Sequence, residues 1–102
     1  MECFVTIDNE GRVTACSGST EIIFGRTQGK MIGTSVVDLM PEHYRSRHKS
    51  AHAAWVTTGE KHAMGSWMEV EALKADGSEV PISMVLTERD GEVTAIMRPR
   101  TY

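Results

Sequence analysis

Hydrophobic and polar positions follow two different periods along this chain, and each change of period marks an element. Residues 3–8 alternate as a strand does, Asp8-Asn9-Glu10-Gly11 is a turn signal, and residues 12–16 return as a second strand. Ser17-Gly18-Ser19 breaks that strand, and Ser19 or Thr20 can cap a short helix through Glu21-Ile22-Ile23-Phe24 that Gly25 ends. A further short helix fits Gln28–Met31, and Val36–Met40 is one more helical turn. From Pro41 to Trp55 the spacing is helical throughout. Pro41 has the φ of a first turn, Glu42 sits at the positive end of the dipole, and Tyr44, His48, Ala51 and Trp55 fall on one stripe. Thr58-Gly59-Glu60 terminates this long helix. At Met64 the period returns to two. Met64, Ser66, Met68, Val70 and Ala72 share one face, and Trp67, Glu69, Glu71 and Leu73 the other. Asp76-Gly77-Ser78 and Asp90-Gly91 then turn the chain between two more strands, whose inner faces carry Val80, Ile82, Met84 and Leu86, then Val93, Ala95 and Met97.

Two strands, several helices and a three-strand meander predict an α+β domain: one five-stranded antiparallel sheet, with short helices and one longer helix packed on one face. At 102 residues the chain is a single domain, 1–102, with one hydrophobic core. In the first hairpin a two-residue loop at Asn9-Glu10 would set Cys3 opposite Cys16. A three-residue loop with Gly11 left-handed instead pairs Ile7 with Val13 and Val5 with Ala15, and collects the apolar residues on one side. That register predicts two reduced thiols, and no Cys/His spacing suggests zinc. Eleven basic against fourteen acidic residues, a net charge of −3, argue against nucleic acid or an anionic membrane as partner. Arg45, Arg47 and Lys49 read as a solvated helix face. No apolar run has the length of a membrane span and no signal peptide opens the chain, so the expected location is cytoplasmic.

A set of short signatures then extends over nearly the whole chain. These are Ile7-Asp8-x-x-Gly11-Arg12, Ile23-Phe24-Gly25, Met31-Ile32-Gly33, Leu39-Met40-Pro41-Glu42-x-Tyr44-Arg45, Thr58-Gly59-Glu60 and Lys74-Ala75-Asp76-Gly77-Ser78-Glu79-Val80-Pro81. In this order and at these spacings the chain resembles the PAS sensory domains. The resemblance implies a signal-input module, often dimeric, that holds a small ligand or a partner between sheet and helices. It implies a piece of a longer signalling protein, with the output in another domain. One departure touches that output: Pro99-Arg100 stands where the family commonly has an Asp-Ile pair.

Arg45-Ser46-Arg47-His48 is similar, more narrowly, to the segment of haem-binding oxygen-sensor PAS domains that supplies the proximal histidine. The resemblance implies haem b, with His48 as the iron ligand and His62 near the haem edge. A neutral imidazole on an apolar helix face is chemically suited to that role. Two arginines of that subgroup are replaced, by Met68 on the distal side and by Ala54 near the propionates. Met68 is then either a sixth iron ligand or a core residue. The same helix pattern also occurs in PAS domains without a cofactor. With both arginines missing, the expectation is a small pocket mostly filled by Met64, Met68, Ile82 and Met84, flanked by Tyr44 and Trp55. His48 would then be a core residue bonded to a backbone or side-chain acceptor. A haem-based gas or redox sensor is the alternative.

Flavin photochemistry is not expected, since neither cysteine lies on a helix. Nor is catalysis, since His43, His48, His52 and His62 do not converge and no phosphate loop or nucleophile elbow is present. Phe4, Trp67, Val85 and Ile96, with Thr6 and Thr94 between them, fall on the sheet face away from the helices. Large apolar groups on such a face predict a homodimer built there.

Overall fold

The computed structural model describes residues 2–58 and 64–100. Its elements follow the predicted order: β1 (Cys3–Ile7), β2 (Val13–Gly18), α1 (Thr20–Phe24), α2 (Gln28–Met31), a 3₁₀ turn at Val36–Leu39, α3 (Glu42–Thr58), β3 (Met68–Leu73), β4 (Glu79–Arg89) and β5 (Glu92–Pro99). The strands form one antiparallel sheet in the order β2-β1-β5-β4-β3, so β1 and β5 are central neighbours although they lie at opposite ends of the chain. Val5, Ile7, Val13, Ile82, Val93 and Met97 point from it into a core that Ile23, Phe24, Met31 and Leu39 complete.

The turn chemistry works as read. Gly11 takes a left-handed φ of 78° and Gly25 closes α1 in the same conformation, φ 65°. Ser19 occupies the N-cap of α1 without a side-chain cap bond, whereas the Thr27 hydroxyl accepts from the Lys30 amide at the start of α2.

Three details differ from expectation. Ile7 pairs with Val13, but Val5 pairs with Cys16 rather than Ala15, because a bulge between Thr6 and Ile7 shifts the register by one residue. The bulge keeps Val13 buried and lets the Thr14 hydroxyl turn to the Thr6 carbonyl and the Glu92 carboxylate. Cys3 and Cys16 are free thiols, and burial, with Cys16 nearby, pushes the Cys3 thiol up to about 11. Second, β3 begins at Met68 rather than Met64. Gly65, at φ 79°, breaks the strand, and Met64 keeps only an isolated parallel bridge to Leu86.

The third difference concerns the long helix. No side chain described on α3 is fully buried, and Trp55 is only half-buried, its ring edge-on to His52 at 5.6 Å between centroids. The residues α3 turns toward the sheet include Ala51, too short to reach across. The helix therefore stands off the strands instead of being clamped to them.

The opposite face of the sheet carries the expected row. Phe4 pairs with Ile96, which pairs with Val85, and Trp67 lies just before β3. Phe4 is 37% and Trp67 51% exposed, while Val85 is buried. Arg98 lies over the Trp67 ring at 4.7 Å, and the Thr6 and Thr94 hydroxyls are bonded at 2.7 Å.

Candidate functional site

The space between α3 and the sheet is a cavity of about 520 Å³. Its floor is the inner face of the strands, among them Ile7, Met68, Ile82, Met84, Leu86 and Met97, and Phe24, Val36, Leu39 and Met40 close its end. Alternation in the sequence supplies that floor directly. Its height comes from α3. The volume lies inside the range typical of small-molecule and cofactor sites, and the walls are apolar with few polar groups, as such sites are. A small pocket filled by side chains is therefore not what this sequence builds, because the methionines and aliphatics stay on the sheet side and α3 offers little volume to meet them.

Of the residues predicted for the site, Tyr44, His48, Met68, Ile82 and Met84 line the cavity. Met64 and Trp55 do not: Met64 bridges to Leu86 beside the β3 edge, and Trp55 packs against the core next to His52. His62 lies outside the described residues. Arg47 and Ser50 line the cavity too, although both sit off the expected stripe. The lining residues of α3 thus span a wider arc than the expected stripe, with Tyr44, His48 and Ala51 half-buried and Arg47 and Ser50 exposed.

His48 has no side-chain hydrogen-bond partner among the described residues, so the core role expected for it, bonded to an acceptor, is not met. Burial, and second the neighbouring His52 ring stacked at 5.8 Å, hold its pKa below the usual histidine value. At neutral pH the group is an uncharged imidazole with a free nitrogen lone pair at an apolar cavity. Met68, paired with Met84 across β3 and β4, presents its thioether from the sheet side. The Nε2 of His52 is likewise buried without a partner, but it lies near Gly11 and His52 is not among the lining residues of the cavity. His43 lies against Tyr44 at 4.2 Å on the exposed side of α3.

Tyr44 joins a second, polar constellation that sequence reasoning missed. Its hydroxyl donates to the Glu71 carboxylate at 2.6 Å. The Arg100 guanidinium donates to the same carboxylate at 2.8 Å, to the Val70 carbonyl at 3.0 Å and to Glu69 at 3.3 Å. Alternation places Glu71 on the outer face, yet β3 is the edge strand, and at an edge a carboxylate is within reach of a tyrosine on the covering helix. The hydrogen bond from Tyr44, then the bonds and charge of Arg100, hold the Glu71 carboxyl below the usual glutamate range, and that bond to Glu71 raises the Tyr44 hydroxyl. The one signal in the sequence was Arg100 itself, a long cation at the place where the family pattern departs.

A family profile for the PAS fold matches residues 1–101. The chain is 34% identical over 89 residues to an uncharacterised protein of Azorhizobium caulinodans, covering 86% of this chain and 12% of that one. It is 32% identical over 87 residues to the sensor protein FixL of Bradyrhizobium diazoefficiens, covering 85% of this chain and 17% of that one. The chain thus spans less than a fifth of the length of either relative. Among solved structures, the PAS domain of the Cronobacter turicensis quorum-sensing receptor RpfR, in complex with BDSF, superposes with a TM-score of 0.75 at 14% identity, over 98% of this chain and 94% of that one. A PAS domain from Colwellia psychrerythraea superposes at 0.71 with 19% identity, over 98% and 86%. With a profile match over almost its full length and relatives above 30% identity, the chain belongs to the PAS family of sensory domains, typical of signal transduction proteins.

Proposed function

We propose that this domain is the cytoplasmic input module of a longer signalling protein, and that its cavity takes haem b through His48. The observation that carries this reading is an uncharged imidazole, without a protein partner among the described residues, on the wall of an apolar cavity of about 520 Å³. Similarity to FixL, a sensor protein, over most of the chain supports it. Bound through an imidazole in a dry site, haem iron supplies a coordination position that responds to a gas or to redox state. The residues of the chain do the rest. His48 would hold the iron from α3, the aliphatic floor would exclude water, and the Met68 thioether would offer a second donor where the haem-sensor pattern has an arginine. The outer sheet face, with Phe4, Trp67, Val85 and Ile96, serves a second copy of the chain, and the output lies elsewhere in the polypeptide.

Titration with hemin tests the assignment. The expected result is a Soret band saturating at one equivalent, abolished by His48→Ala, with Met68→Ala keeping the band but altering the ferrous spectrum. A protein that gives no Soret band, or a His48→Ala variant that retains it unchanged, overturns the reading.

A further inference from the structure

Five polar or charged side chains line the cavity: Tyr44, Arg47, His48, Ser50 and Glu71. Three of them are already accounted for. Tyr44 and Glu71 are bonded to each other, Glu71 is neutralised by Arg100, and His48 is held uncharged. Arg47 is the cation left over. Among the described residues it makes no ion pair and no side-chain hydrogen bond, and both it and Ser50 are exposed. An exposed residue that also lines a cavity marks the cavity's mouth. Arg47 and Ser50, three residues apart on α3, sit on the same side of the helix there. An arginine in this position lays its aliphatic stem on the apolar wall and keeps its guanidinium at the rim. The site thus combines an apolar chamber with a single unpaired guanidinium and a hydroxyl at its opening.

We infer that Arg47 binds a carboxylate of the cavity's occupant, which is an amphiphile with an apolar body and an anionic end. A guanidinium recognises a carboxylate bidentately and in a charge-assisted way, and Ser50 can donate a third bond. Among the described residues Glu71 is the acidic side chain on the lining, and it is already paired with Arg100. The inference rests on the reading of the cavity as a ligand site but not on haem: haem propionates and a fatty-acid carboxylate share this chemistry.

The test pairs a protein variant with a ligand variant. Hemin and dodecanoate are titrated into the wild type and Arg47→Gln, followed by the Soret band and by calorimetry, and then the dimethyl ester of haem and methyl dodecanoate are titrated in the same way. Arg47 is exposed, so the variant should keep its melting temperature. The expected result is a five- to tenfold weaker binding, roughly the worth of one charge-assisted contact at a surface, for whichever free acid binds, with the ester unaffected. Equal affinity of both proteins for the acids, an equal loss for acid and ester, or no binding of either acid to the wild type overturns the inference. The haem assignment fails separately. If dodecanoate binds in an Arg47-dependent manner and hemin does not bind, the carboxylate site stands and the haem reading falls. If hemin binds through His48 and Arg47→Gln is silent, the reverse holds.

Discussion

Replacing Ala51 by leucine separates a cavity from a packed core by the sign of the stability change. Ala51 is half-buried on α3 and lines the cavity. Leucine adds three carbons, each stabilising by about 0.8 kcal/mol when fully removed from water. The mouth at Arg47 and Ser50 leaves part of the new side chain wet, which reduces the upper figure of about 2.4 kcal/mol to about 1 kcal/mol. Helix propensity barely contributes, since alanine and leucine are both strong formers. In a domain of this size a gain of about 1 kcal/mol raises the melting temperature by about 4–8 °C. Calorimetry on ligand-free protein, backed by urea unfolding, reads the change, and the affinity for hemin and dodecanoate should fall in the same variant. A loss of about 1–3 kcal/mol instead, the usual result of forcing volume into a filled core, would refute the cavity.

Four further outcomes are expected. Trp55→Ala should lower the unfolding free energy by about 2 kcal/mol, below the 3–5 kcal/mol of a fully buried aromatic, because the ring is half-exposed; a urea-derived loss above 4 kcal/mol would contradict that placement. Because Glu71 is held below its ordinary value of 4.5, its contribution is complete above that pH and is lost as pH falls through the lower folded value. The difference in urea midpoint between wild type and Glu71→Gln should therefore shrink in acid, and a pH-independent difference would count against the Tyr44–Glu71–Arg100 cluster. Gly18→Ala should cost about 2 kcal/mol or more, since φ is 82° and an added Cβ runs into the Glu2 carbonyl; thermal unfolding checks it. Sedimentation at tens of micromolar should show a dimer that Trp67→Glu dissociates, and a monomer indifferent to the substitution would remove the outer sheet face as an interface.

The order of elements and the inner faces of β1, β4 and β5 were legible in the residues because alternation and turn chemistry are local. Val80, Ile82, Met84 and Leu86 can bury one side of β4 in only one way, and Gly11 and Gly25 take the left-handed conformations their neighbours require. Several candidate residues were legible for the same reason: Tyr44, His48, Met68, Ile82 and Met84 all line the cavity. What tertiary structure decided was distance and placement. Alternation says that a side chain points inward and not how far away the opposing element lies, so the same methionines are compatible with a filled core and with a cavity of about 520 Å³. The placement of α3 over the sheet put Arg47 and Ser50 on the lining and left Trp55 outside it, which the stripe alone did not show. The bulge opposite Thr6 shifted a register that loop length alone had placed one residue away. The Tyr44–Glu71–Arg100 cluster joins a helix, an edge strand and the end of β5. No local period relates positions that far apart, and only the closed sheet brings them within a hydrogen bond of each other.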